Sequence, residues 1–160
     1  MTQHVKSYRT DSEQATYDLG KLLAQQLRAG DVVLLYGSIG AGKSVMARAI
    51  GDALRVSRWS GSPTFSLVHE YQTIPRFYHV DLYRLSSGEV AELGLDEYAQ
   101  NDSILAIEWA DRAPDLLGDL STGRTVSIEL AYSGEDSREV QISGLPALLA
   151  EPAVPVENGR

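Results

Sequence analysis

At 160 residues with a formal net charge of −8, the chain has room for one domain with a proper core and little room for lids or insertions. The acidity excludes a protein that grips nucleic acid unaided, because that affinity comes from cationic groups neutralising phosphates, and lysine occurs only at Lys6, Lys21 and Lys43. Cysteine is absent, which removes disulfides, thiol nucleophiles and thiolate metal sites; with no signal-peptide core and no apolar run of membrane-spanning length, a cytoplasmic protein without membrane contact is expected.

Val5 to Tyr8 suits a short strand. Thr10-Asp-Ser-Glu13 has the S/T-x-x-E spacing of a capping box and predicts a helix whose buried face carries Ala15, Leu19, Leu22, Leu23 and Leu27 and which ends near Gly30. Asp31 to Tyr36 is the nearly unbroken apolar run of a strand buried on both faces. Residues 37 to 44, Gly-Ser-Ile-Gly-Ala-Gly-Lys-Ser, then complete a G-x-x-x-x-G-K-S phosphate-binding loop. Met46, Ala49, Ile50, Ala53 and Leu54 follow at helical spacing, so the loop lies between a strand and an amphipathic helix. In that setting Gly37, Gly40 and Gly42 let the backbone wrap a polyphosphate, and successive N–H groups point at its anionic oxygens. Lys43 adds a mobile charge, and Ser44 offers a hydroxyl to a magnesium ion shared with the outer phosphates.

Residues 57–66 form a polar connection marked by Gly61 and Pro63, before two strand-like segments, Leu67 to Thr73 and Arg76 to Leu82, that meet across Ile74-Pro75. Ser87 to Leu93 predicts a helix and Asp96 to Ala99 a shorter one. Ile104 to Ile107 is a compact apolar run ending on Glu108, and Arg112 to Leu117 is weakly helical. Thr125 to Tyr132 and Glu139 to Ser143 read as a hairpin across Ser133-Gly-Glu-Asp. The expectation is an α/β, three-layer P-loop NTPase fold over residues 1–145, with a mixed, mainly parallel sheet and antiparallel hairpins. Residues 146–160 are expected to be a disordered tail.

A phosphate loop working with magnesium needs a carboxylate at the end of a neighbouring strand, opposite the loop. Asp81 and Glu108 both stand there, and ligands of open α/β sheets gather at those strand ends. Either acid alone also reads as a solvated strand cap; both together do so less readily. Thr64, in Ser62-Pro-Thr-Phe-Ser66, falls where a switch segment would sense a γ-phosphate, although an ordinary turn explains an isolated tetrapeptide as well. Arg48, Arg84 and Arg112 are candidate charge stabilisers or plain surface ion-pair partners. His4, His69 and His79 lack metal-ligand spacing and read as structural. Trp109 fits nucleotide stacking and core packing equally. No N-K-x-D segment reads guanine, and Asp115-Leu-Leu-Gly118 lacks that companion, which favours adenine nucleotides.

Glu-Gln-Ala-Thr (13–16), the loop from Tyr36 to Ser44, Ser-Pro-Thr-Phe-Ser-Leu-Val (62–68), His-Val-Asp-Leu-Tyr-Arg-Leu (79–85) and Ile-Glu-Trp (107–109) together resemble the TsaE (YjeE) family of tRNA threonylcarbamoyladenosine synthesis. The resemblance runs from about Thr10 to Ser143. It implies a magnesium-dependent ATPase of low turnover in which ATP or ADP lies across Gly40, Ala41, Gly42, Lys43, Ser44 and Val45. It further implies that Ser44 and Glu108 hold the metal and that Asp81 orients or activates water. Thr64 would then be switch-like, with Glu13 and Trp109 bordering the nucleotide. The implied partners are TsaB and TsaD, which would transfer threonylcarbamoyl to adenosine 37 of tRNA while TsaE supports repeated rounds; tRNA would be met only through the complex, and self-association stays open. Ser38 departs from the family's usual acid and Ser44 from its more common threonine. Two other readings stand beside this one: a P-loop kinase of a small metabolite, and a nucleotide-sensing binding module with little hydrolysis.

Overall fold

The computed structural model describes residues 5–59, 67–112, 114, 120 and 123–145. Along the chain come β1 (Val5–Thr10), α1 (Glu13–Ala24), β2 (Val32–Tyr36), α2 (Lys43–Ala53), β3 (Val68–Tyr71), β4 (Arg76–Asp81), α3 (Ser87–Glu92), β5 (Ser103–Glu108), β6 (Thr125–Tyr132) and β7 (Arg138–Ser143). Short 3-10 turns occupy Leu95–Glu97 and Ala110–Arg112. Among the described residues the strands form one seven-stranded sheet in the order β1-β7-β6-β2-β5-β4-β3. Its centre is parallel, β6 to β2, β2 to β5 and β5 to β4, while β1–β7, β6–β7 and β3–β4 are antiparallel. The expected mixed sheet with hairpin edges is therefore present.

The apolar runs explain the layering. Val32 to Leu35 and all six residues of β5 are buried, as they must be where helices cover both faces of parallel strands. On one face α1 and α2 lay Leu19, Leu23, Met46 and Ile50 against Val33, Leu35, Ile104 and Ile128. On the other face Val90 of α3, Leu95 and Ala110 close over Val32, Leu34, Val80, Leu105 and Ile107. Because side chains alternate along a strand, β2, β4 and β5 feed both cores at once. No helix among the described residues is long and apolar enough to cross a membrane.

Two boundaries differ from the sequence reading. Thr10 does not cap α1: it is the last residue of β1, paired with Arg138 across the sheet edge, and its buried hydroxyl lies 2.7 Å from that of Thr16. Ser12 is the cap instead, in extended conformation, accepting the Ala15 amide at 3.0 Å. The helix also stops at Ala24, short of Gly30, because the amides of Gln25, Gln26 and Leu27 turn to carbonyls three residues back and tighten the last turn. Four sequence expectations lie outside the described residues: that for His4, the segment containing Thr64, the Asp115–Gly118 stretch with most of the weak helix around it, and the 146–160 tail.

Candidate active site

The loop between β2 and α2 is built on residues without a Cβ where one would collide. A Cβ on Gly37, whose φ is +150°, would come within 2.6 Å of the Leu130 carbonyl oxygen, so β6 can press against the loop only with glycine there. Gly42 opens α2 at φ +114° without a side-chain cap, which leaves the first amides of α2 for an anionic group. Beside them lies a cleft of about 410 Å³. Of the residues singled out from sequence, Glu13, Gly40, Gly42, Lys43, Ser44, Val45, Asp81, Glu108 and Trp109 line this one space, from four separate stretches of chain. Gly37 and Ala41 do not. Gly37 faces the far side of the loop toward β6 and β7, and Ala41 is fully buried beneath it.

Lys43 folds back over its own loop. Its Nζ donates to the carbonyls of Gly37 at 2.6 Å and Ser38 at 2.8 Å and stands 4.0 Å from the centre of the Trp109 ring. Burial pushes its pKa below the ordinary lysine value, while Glu108, Asp111 and Asp81 draw it back up. Trp109 has φ +58°, a left-handed conformation that costs a bulky residue roughly 1 kcal/mol or more. That turn, directly after β5, lays the ring over Lys43 and beside Tyr83, 4.7 Å away. Trp109 also packs against the core on the α3 side.

Two acids meet at the strand ends. Asp81 and Glu108 are direct partners across β4 and β5. Glu108 is 2 % exposed, and its Oε1 accepts the Ser44 hydroxyl at 2.9 Å. Its Oε2 lies 2.5 Å from Nε2 of His79. Asp81 accepts the Tyr83 amide at 2.9 Å, and burial raises its pKa above the usual carboxylate range, with the Tyr83 bond opposing.

Residues that the sequence does not assign to the site also shape it. His79, read as merely structural, touches Glu108; its place two residues before Asp81 puts it on the same strand face, which is the period-2 signal that marks it. Arg138 and Tyr132 fasten the loop from behind. The Arg138 guanidinium donates to the carbonyls of Ala41 and Gly40, both at 3.2 Å, and lies 4.0 Å over the Tyr132 ring, whose hydroxyl donates to Ile39 at 3.1 Å. No local pattern reveals a contact spanning almost a hundred residues. Of the three candidate arginines, Arg112 caps the Tyr83 and Trp109 rings at the rim, Arg48 pairs loosely with Asp52 at 3.9 Å away from the cleft, and Arg84 is exposed. His69 packs edge-on against Tyr71, and His4 lies outside the described residues.

A parallel-centred sheet with a glycine-rich loop feeding a helix, and acids at the ends of the two adjoining strands, defines the P-loop NTPase fold. Within that class, the chain belongs to the TsaE family: the family model described as "Threonylcarbamoyl adenosine biosynthesis protein TsaE" matches residues 10–140. It is 38% identical over 147 residues to the tRNA threonylcarbamoyladenosine biosynthesis protein TsaE of a Nostoc strain, covering 88% of this chain and 86% of that protein. The Bacillus subtilis protein of the same name is 32% identical over 139 residues, with 86% and 85% covered. The crystal structure of Bacillus subtilis YdiB superposes with a TM-score of 0.72 at 27% identity, over 92% of this chain and 90% of that one.

Proposed function

We propose that this protein is a magnesium-dependent ATPase that supports threonylcarbamoyl transfer to adenosine 37 of tRNA as an accessory subunit of TsaB and TsaD, and is not itself the transferase. The family and the names of its relatives support the pathway. The observation that carries the chemistry is the 2.9 Å bond between Ser44 Oγ and Glu108 Oε1 at the mouth of a complete phosphate loop.

The donor set fits magnesium. That ion prefers hard oxygens and is held by one or two carboxylates together with substrate phosphates and water. Ser44 and Glu108 supply two such oxygens, and the described residues contain no cluster of three acidic, histidine or cysteine ligands that would cage a metal alone. A bound magnesium ion would neutralise charge on the outer phosphates. Amides from Gly40 to Val45 and the N-terminal end of α2 would bind the phosphates, with Lys43 as their nearest cation. Asp81 would take a proton from the attacking water, and Glu13 and Trp109 would flank the nucleotide. Thr64 enters on the family resemblance alone, as a residue that senses nucleotide state. Adenine is favoured over guanine because no N-K-x-D segment exists.

The expected result is that the full chain retains TsaB and TsaD from the same organism in a pull-down, to an extent that changes between ATP, ADP and no nucleotide. Absence of any retention in all three conditions contradicts the accessory role. A kinase would instead show ATP consumption stimulated by a metabolite that acquires phosphate, and a sensing module would exchange nucleotides without releasing phosphate.

A further inference from the structure

We infer that His79 is the positioning residue for the metal-bearing carboxylate: by holding Oε2 of Glu108 in the interior, it leaves Oε1 as the oxygen presented to Ser44 and the cleft. The inference rests on the reading of Ser44 and Glu108 as the magnesium site and adds a residue that this reading does not use.

The geometry separates the two oxygens of one carboxylate. Glu108 is buried, and a buried carboxylate without partners is costly, so each of its oxygens is expected to be engaged. Among the described residues Ser44 and His79 are those partners, one on each oxygen. Ser44 faces the cleft, whereas His79 is 3 % exposed and does not line it. The imidazole is itself fixed: β4 holds its backbone in the sheet, and the Trp59 ring meets it nearly edge-on at 6.5 Å. Its Nδ1 is buried with no hydrogen-bond partner among the described residues. An ionised carboxylate oxygen only accepts, so the contact with Oε2 places the imidazole proton on Nε2 and leaves Nδ1 as the unpaired nitrogen. Supporting groups of this kind orient a ligand without touching the metal, and their loss costs about 10–100-fold in metal affinity or activity.

The test compares His79→Asn with His79→Gln. Both amides keep the polarity, but only glutamine reaches far enough to put a donor near the position of Nε2. Mn2+ is titrated into the full chain with ADP and free ion is read by electron paramagnetic resonance; ADP binding in EDTA and the thermal melt are measured alongside. His79→Asn is expected to weaken Mn2+ binding by about 10–100-fold while leaving metal-free ADP binding unchanged, and His79→Gln is expected to restore it. Equal Mn2+ affinity in wild type and a folded His79→Asn overturns the inference, as does a folded His79→Gln that binds Mn2+ as weakly as His79→Asn. If the asparagine variant does not fold, the glutamine variant decides by the same criterion: wild-type affinity supports the inference and weak affinity overturns it. A wild-type protein that shows no Mn2+ site with ADP removes the magnesium reading itself, and this inference with it.

Discussion

Lys43→Ala is expected to lower ATP hydrolysis by roughly 10²–10³-fold, the scale set by removing a preorganised charge from a dry site. Lys43 is only 4 % exposed, and burial already works against its charge, so its attraction for an anionic phosphate is screened little. The same side chain closes the loop through the Gly37 and Ser38 carbonyls, so its loss also loosens the cradle. Arginine is not expected to rescue it, because a planar guanidinium cannot reproduce a compact ammonium seated between two carbonyls and an indole ring. Phosphate release at saturating ATP and magnesium is the measurement, and wild-type turnover in Lys43→Ala sinks the assignment.

Asp81→Asn is expected to reduce kcat by about 10²–10⁴-fold with ATP affinity retained, as for loss of a positioned general base. The amide keeps the shape of the carboxyl group and can still accept the Tyr83 amide, so the strand end stays formed. Acting as a base, Asp81 must be ionised, and burial raises its pKa above the carboxylate value of 3.8. The acid limb of the kcat/KM profile, which reports the free protein, therefore lies higher than for an exposed aspartate: activity is full above the raised value and lost as the pH falls through it. That limb disappears in Asp81→Asn. A rise in the ATP dissociation constant with unchanged kcat would mean that Asp81 supports binding and not proton transfer.

What could be read in the sequence follows from the range over which each signal acts. The apolar run of β2, the loop and the stripe of α2 are contiguous, and local sterics and periodicity fix all of them. Asp81 and Glu108 were legible because each closes an apolar strand, although only the parallel pairing of β4 with β5 brings them side by side. The capping box at Thr10 failed because a long-range contact won: pairing with β7 holds Thr10 in the sheet, and the cap passes to Ser12. Arg138 and Tyr132 reach the loop only once β7 and β6 have assembled, and nothing in their neighbourhood announces it. His79 lay between these cases, since its strand face was readable but its partner on β5 was not.

The central claim is that Ser44 and Glu108 share a magnesium ion with the triphosphate. A crystal structure of the full chain with a non-hydrolysable ATP analogue and magnesium tests it most directly. The expected result is a metal at about 2.0–2.1 Å from both Ser44 Oγ and Glu108 Oε1, with the β- and γ-phosphates on the amides of residues 40–45. A triphosphate bound elsewhere, or a metal out of reach of Glu108, contradicts it.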